Sequence, residues 1–358
     1  SKMLVAIGVM KLVERGELDL DEDVSGALGW TLRNPSFPDR PITLRMLLSH
    51  TSSLRDHNDQ YAIPLGDTVQ QVLVERTSWD PKHGPGDGYF TYSNLNFPVI
   101  ASIVERVTGE RFDHWMRRAV LEPMKLDACY NWPTCSDAKI ARAVVLTQGG
   151  KPVRDDLAGK RPDCPVFVDK GPCDLERWKL GENGALFAPQ GGLRISMNDL
   201  ARVGRMLLGG GVLDGVRILS PQSVEAMLRP AWRFDGRNGN TDKGFYCAYG
   251  LAVQLLPTRM AGCRDDPAGD GTFRAGHAGD AYGLRSGLWI DRLQGTGVAY
   301  FVSGLSDNPP RGRSAYRAVE EAALRKSLQL AGKSLPCGAR RKRTKVVDAL
   351  HCRYASRD

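Results

Sequence analysis

The chain has 358 residues, 42% hydrophobic and 25% charged, a composition that excludes a collagen-like, low-complexity or disordered protein and suits one large domain or two lobes around a shared cleft. No apolar run approaches the roughly 18 residues that a membrane span needs, so no stable membrane insertion is expected. The net charge is +8, but the stretch from Lys333 to Asp358 holds eight basic residues against two acidic ones, and no aromatic side chains interleave the run Arg340–Lys345, so it reads as a solvated basic tail rather than a nucleic-acid patch.

Residues 3–14 are predicted to form an amphipathic helix, with Leu4, Ile7, Met10, Leu12 and Val13 on its apolar face and Gly16 as a C-terminal cap. The chain opens inside this helix without a signal peptide, an opening expected of a truncated or processed N-terminus. A polar turn follows at 18–23, then short helices at 43–49 and 68–76, a longer one at 97–107 closed by Gly109, and another at 112–120. Residues 131–184 are rich in Pro, Gly, Lys and Asp and read as a partly helical insertion lobe, about 129–184 with its first cysteine. Ser196 and Asp199 form a capping box that opens a helix ending at Gly209–Gly211, and 220–228 is one more short helix. The pattern then changes to strands at 249–256, 286–291 and 297–303, the last two joined as a hairpin, before a helix at 314–331. Helices, then an antiparallel meander, then a closing helix is an α+β arrangement, with one domain over 1–331 and the basic tail over 332–358.

The eight cysteines fall into four neighbouring couples, Cys129/Cys135, Cys164/Cys173, Cys247/Cys263 and Cys337/Cys352, all in loop-like stretches. None forms Cys-x-x-Cys and no histidines lie at metal-ligand spacing, so neighbour-with-neighbour disulfides and an oxidising compartment, periplasmic or secreted, are expected, with no metal or cofactor.

Three segments carry chemistry. Ser1-Lys2 runs directly into the first helix, Tyr92-Ser93-Asn94 precedes the helix at 97–107, and His277-Ala278-Gly279 lies just before the strand hairpin. In order and context they resemble the three motifs of the β-lactamase and penicillin-recognising serine hydrolases. Leu47-Leu48-Ser49-His50-Thr51-Ser52, Gly191-Gly192-Leu193 with the helix after it, and Trp289-Ile290-Asp291 are similar to further segments of that family. The resemblance covers about residues 1–331 and implies a β-lactamase/transpeptidase-like fold: an antiparallel sheet flanked by helices, an all-helical lobe, and N-terminal elements missing from the sequence, which would leave a sheet edge unpaired.

The family's first motif is Ser-x-x-Lys. Lys2 takes the Lys position and Ser1 the third, so the resemblance places the nucleophilic serine two residues upstream of Ser1. Three residues is about one helical turn, which brings hydroxyl and amine to one face, whereas Ser1, adjacent to Lys2, does not face it. Ser136-Asp137-Ala138-Lys139 matches by letter but lacks an apolar helix, an N-terminal nucleophile at Ser1 would require processing at that point, and no Gly-x-Ser-x-Gly elbow occurs.

The resemblance further implies roles. Lys2 is the partly desolvated base, Tyr92 shares its proton network and protonates the leaving group, and Asn94 binds Lys2 or the substrate amide. His277 holds the Tyr92 phenol or a substrate carboxylate; Ala278 and Gly279 line the strand edge, and the Asp280 N–H supplies half of an oxyanion hole. Ser1 is placed among the substrate-binding residues. His50 is read as structural. Two departures stand out: Ser53 occupies a position where the family usually has Gly, and the third motif begins with His rather than Lys, which, with the Asp280 charge at the cleft mouth, tilts the expectation from β-lactams towards esters, amides or D-amino-acid peptides. The expected activity is acyl-enzyme hydrolysis of a small-molecule ester, amide or peptide. The alternative is a catalytically inactive homologue that binds peptidoglycan or peptide fragments.

Overall fold

A computed structural model describes residues 1–334. The expected Cys337/Cys352 couple and nearly all of the basic tail lie outside these residues.

The first helix, α1 (Lys2–Glu14), is buried from Lys2 to Met10 and again at Leu12. It is therefore a central helix, buried around more of its circumference than the one apolar face of five positions that the sequence suggested. The intervening Val5, Ala6, Gly8 and Val9 are small or β-branched enough to let neighbours close on every side. The chain turns out of it at Gly16, which adopts φ +70° and donates its N–H to the Val13 carbonyl. Short helices at Leu44–Leu48 and Val69–Val74 start where expected, each with a threonine N-cap, and Thr68 completes a reciprocal box with Gln71. Helix α2 (Asn96–Thr108) ends at Gly109 in the left-handed region. The next helix, Phe112–Met116, runs into a π-helical turn over Arg117–Leu121.

Helix α3 (Met197–Leu208) has Ser196 as N-cap, and α4 (Pro221–Leu228) has Ser220. Then comes one antiparallel sheet of six strands: β1 (Trp232–Arg233), β2 (Ala248–Tyr249), β3 (Gln254–Leu256), β4 (Arg274–Ala281), β5 (Leu284–Asp291) and β6 (Thr296–Val302), in that spatial order. Helix α5 (Ala318–Ser334) closes the chain.

The sheet is covered on both faces. Leu288 and Ile290 of β5 join the main core with α1, α2 and α3, while Trp289, Val298 and Tyr300 pack with Tyr316 and Leu324 beneath α5. That split follows from the two-residue alternation of a strand.

Three sequence expectations change here. The predicted strand 249–256 is a hairpin: Gly250 donates to the Val253 carbonyl and Ala252 takes φ +55°, a turn hidden in an apolar run because Leu251 and Ala252 are themselves buried. Strand β4, which carries the third motif, was not among the expected strands, the motif being placed only just before the hairpin; its small residues Ala275, Gly276, Ala278 and Gly279 give no strand signal. The closing helix starts at Ala318 rather than Ser314, because Glu321 takes up the N–H and hydroxyl of Ser314 in the preceding turn, and it runs three residues into the expected tail.

The insertion lobe holds one helical turn, Asp137–Ile140, a hairpin of Leu146–Gln148 with Lys151–Arg154, a 3-10 turn at Leu175–Arg177, and otherwise loop. Cys129–Tyr130 also pairs with Leu193–Arg194, so strand pairing interrupts the all-helical lobe that the resemblance implied. Cys129–Cys135, Cys164–Cys173 and Cys247–Cys263 are disulfides, as the neighbouring couples predict.

Candidate active site

Lys2 opens α1 and is 6% exposed. Its Nζ donates to Asn94 Oδ1 at 2.8 Å and to the Gln190 backbone carbonyl at 2.9 Å. It also lies over the ring faces of Tyr92 and Phe97, 5.1 and 5.3 Å from their centroids. Burial holds this ammonium down, to about 7 from an ordinary 10.5, and the nearby Asp56 carboxylate partly offsets the shift. Ser1 has its carbonyl in the first turn of α1 and its hydroxyl accepting the Leu193 N–H at 3.1 Å. Among the described residues no serine hydroxyl hydrogen-bonds Lys2.

Tyr92-Ser93-Asn94 leads into α2 and is gripped by Asp56. One carboxylate oxygen accepts the Ser93 hydroxyl (2.8 Å) and the Leu95 N–H (3.1 Å); the other accepts the Asn94 N–H and the Asn94 Nδ2–H, both at 2.9 Å. Tyr92 stacks between His50 (centroids 4.4 Å apart) and Tyr246 (4.7 Å), and burial pushes its phenol well above the ordinary 10. Lys2 Nζ sits over the Tyr92 ring face, a cation–π contact. His50 is buried; its Nδ1 accepts from the Ser93 N–H and Asn96 Nδ2, both at 3.1 Å, which leaves the ring proton on Nε2, and burial holds its pKa well below the usual value. This is the structural part expected of it. His50 and Ser53 both adopt left-handed backbone (φ +58° and +66°), so Ser53 takes the conformation a glycine would supply there.

His277, Ala278, Gly279 and Asp280 follow one another along β4. Strand β3 pairs with β4 only over Arg274–Gly276, which leaves the cleft side of the motif bare. The Ala278 N–H points to that side, towards Gln254 Oε1 at 3.4 Å, and the Asp280 N–H, two residues on, points the same way. His277 is engaged at both nitrogens: Nδ1–H donates to the Ala278 carbonyl and Nε2 accepts the Tyr249 hydroxyl at 2.8 Å. Burial, and secondly Lys2, hold its pKa down to about 3. The phenol it holds is therefore that of Tyr249 rather than Tyr92, and neither nitrogen is left for a substrate carboxylate. The Asp280 carboxylate pairs across the strands with Arg285, so it does not add the uncompensated negative charge that the sequence suggested.

Residues 1–323 match the sequence profile of the family described as Beta-lactamase. The chain belongs to that family. Its relatives are hydrolases and penicillin-binding proteins. Penicillin-binding protein 4 of Amycolatopsis lactamdurans is 27% identical over 63% of this chain and 54% of its own length. Lovastatin esterase of Penicillium rubens is 28% identical over 41% of each chain. The D-amino acid amidase of Ochrobactrum anthropi, solved with D-phenylalanine, superposes with a TM-score of 0.60 at 20% identity, covering 93% of this chain and 83% of that one, which shows the β-lactamase/transpeptidase-like fold. The chain spans about half or less of the length of these curated relatives.

Within this member of the beta-lactamase family, the residues singled out from the motifs converge on one cleft: Lys2, Tyr92, Asn94 and His277 come from three elements far apart in sequence. Ser136 is elsewhere, an N-cap whose hydroxyl binds Asp127, with Lys139 3.7 Å from Asp199. Asp56, Gln190, Tyr246 and Tyr249 were missed. Gln190 adjoins a recognised Gly-Gly-Leu segment, but its contribution is a backbone carbonyl, which no side-chain motif encodes. Asp56 and the two tyrosines have no spacing rule that ties them to the motifs.

Proposed function

We propose that the polypeptide is a serine hydrolase that cleaves an ester or amide through an acyl-enzyme, its nucleophile occupying the second position before Ser1. The observation that carries this reading is the hydrogen-bonding of Lys2. A neutral amine has two N–H donors and one lone pair. Both donors are spent on groups that only accept, Asn94 Oδ1 and the Gln190 carbonyl, so the lone pair is the remaining valence of a buried amine whose pKa lies near 7. One helical turn before Lys2 is where a serine hydroxyl meets that lone pair. Lys2 takes the hydroxyl proton as the oxygen attacks the carbonyl, and the Asp280 N–H stabilises the oxyanion beside the nucleophile's own N–H. The tetrahedral intermediate expels the alcohol or amine, which takes a proton relayed from Lys2; water then repeats the sequence on the acyl-enzyme. Tyr92 forms the aromatic wall over which these transfers occur.

The third motif supplies no cation, since His277 is neutral and engaged at both nitrogens. That favours an ester, amide or D-amino-acid peptide over a substrate whose anionic group a third-motif lysine would hold. The esterase and amidase among the relatives are consistent with this, and three disulfides fit an oxidising, extracytoplasmic compartment.

A polypeptide extended upstream of Ser1 is expected to be labelled by a fluorophosphonate probe at the serine two positions before Ser1 and to hydrolyse short p-nitrophenyl esters. Lys2→Ala is expected to lower turnover by roughly 10²–10⁴-fold. No labelling of the extended chain overturns the proposal. A second reading, ligand binding without turnover, is favoured for residues 1–358 alone by the absence of a described serine hydroxyl bonded to Lys2. Ester turnover by that span, lost on Ser1→Ala or Ser136→Ala, overturns it.

A further inference from the structure

We infer that Asp56 is a positioning residue that sets the orientation of the Asn94 amide and thereby keeps the Lys2 amine available as a base. The inference rests on the reading of Lys2 given above. An asparagine side chain is ambivalent: either its oxygen or its NH2 can face a neighbour. Here the Nδ2–H is claimed by an Asp56 oxygen at 2.9 Å, so Oδ1 is the end that meets Lys2 Nζ at 2.8 Å. Were the amide reversed, its NH2 would face Nζ, and the only Lys2 valence able to receive it is the lone pair that base catalysis requires.

The Asp56 carboxylate is fully committed to this task. Its two oxygens accept four hydrogen bonds, from the Ser93 hydroxyl and from the N–H groups of Leu95 and Asn94 and the Asn94 side chain. Four acceptances fill the capacity of an ionised carboxylate. Two of them fix the Asn94 backbone and side chain together, so the amide has neither a free rotation nor a free partner. Asp56 also bears the negative charge that acts on Lys2. It accepts no hydrogen bond from Lys2 Nζ, so apart from its charge it acts on Lys2 through Asn94.

Losing Asp56 has two effects of the same sign on Lys2. Removal of the negative charge disfavours the ammonium, and a reversed amide that donates to Nζ favours the free amine; both lower its pKa. The 358-residue chain labelled with ¹³C-lysine allows the Lys2 Cε shift to be followed with pH and assigned by comparison with Lys2→Arg. This readout needs no nucleophile, so it stands or falls apart from the hydrolase reading. In Asp56→Asn the Lys2 midpoint is expected to fall by about one unit. Ser93→Ala deletes one bond to the same carboxylate but leaves the grip on Asn94, and is expected to leave that midpoint in place while lowering thermal stability. Asp56→Glu, which keeps the charge and displaces the oxygens, is expected to give an intermediate midpoint; should Asp56→Asn not fold, this variant decides alone. In the extended polypeptide, the rising limb of kcat/KM against pH is expected to move down with the Lys2 midpoint while kcat falls more than KM rises. An unchanged Lys2 midpoint in the folded Asp56 variants, or an equal shift in Ser93→Ala, overturns the inference; absence of turnover in the extended wild type with the midpoint shifted as described overturns only the hydrolase reading.

Discussion

Each residue of the cleft is defined by how its valences are spent. Lys2 keeps one lone pair free, His277 keeps nothing free, and Asp56 keeps nothing free and holds Asn94 in place. A pH dependence follows. The folded Lys2 amine titrates near 7 because it is buried, whereas His277 is held to about 3 and does not change state near neutrality. Catalysis by free Lys2 is therefore expected to rise with pH through about 7 with a single group's slope, and His277→Gln is expected to leave that limb where it is. A profile of kcat/KM between pH 5 and 9 on the extended polypeptide checks this; a limb that vanishes in His277→Gln assigns the base to the histidine instead. The same shift has a stability consequence. The unfolded lysine binds a proton up to about 10.5 and the folded one only to about 7, so this group's contribution to stability increases as pH rises between those values.

Among the elements, α2 shows how the helices fix one another. Glu105 near its C-terminal end is 1% exposed and accepts the Phe112 N–H, the Trp178 indole N–H and the Gly181 N–H, tying α2 to the following helix and to the end of the insertion lobe. Burial pushes its carboxyl up to about 7, against three hydrogen bonds that pull it down. A group raised in the folded state stabilises fully below its unfolded value of about 4.5, and that contribution is lost as pH rises through about 7. The full span is worth on the order of 3 kcal/mol. Glu105→Gln removes the titration and turns an amide NH2 towards the Gly181 N–H, at a cost of about 1–3 kcal/mol. Denaturant unfolding at pH 5 and pH 8 is expected to show the variant clearly weaker at pH 5 and closer to wild type at pH 8; a gap that is constant with pH rules out the raised carboxyl.

Legibility in the sequence differed by element for physical reasons. Helix starts were readable because Thr43, Thr68, Ser196 and Ser220 cap them with their own side chains, a local bond written in the local sequence. Strand β4 was not, because β5 leaves no room for a side chain at Gly276 and Gly279, and glycine and alanine carry no strand preference. The motif residues Lys2, Tyr92, Asn94 and His277 were legible as a constellation, but their pairings were not. That His277 binds Tyr249 depends on the hairpin at Gly250–Val253, which the apolar run concealed, and the Asp280–Arg285 pair depends on the β4–β5 register.

At the scale of the whole molecule, a buried central helix and a two-faced sheet must keep the cleft from opening between them, and the disulfides differ in how they serve this. Cys129–Cys135 and Cys164–Cys173 close loops of 6 and 9 residues within the insertion lobe; the first adjoins Tyr130, whose hydroxyl donates to the Ser1 carbonyl. Cys247–Cys263 closes 16 residues and joins the residue preceding β2 to the loop that leads into β4. It therefore staples the strand that carries Tyr249 to the approach of the strand that carries His277, the two sides of one hydrogen bond. Loop-closure entropy assigns this bridge about 3 kcal/mol, and the shorter loops somewhat less. The difference expected in function is larger than that in stability. Replacing Cys247 and Cys263 together by serine is expected to lower the unfolding midpoint in urea and also to cut ester turnover of the extended polypeptide at temperatures where the variant is still folded. Replacing Cys164 and Cys173 together is expected to lower the midpoint with turnover retained. Equal losses of turnover in the two double variants, at matched fraction folded, would show that the Cys247–Cys263 bridge stabilises the fold without bracing the cleft.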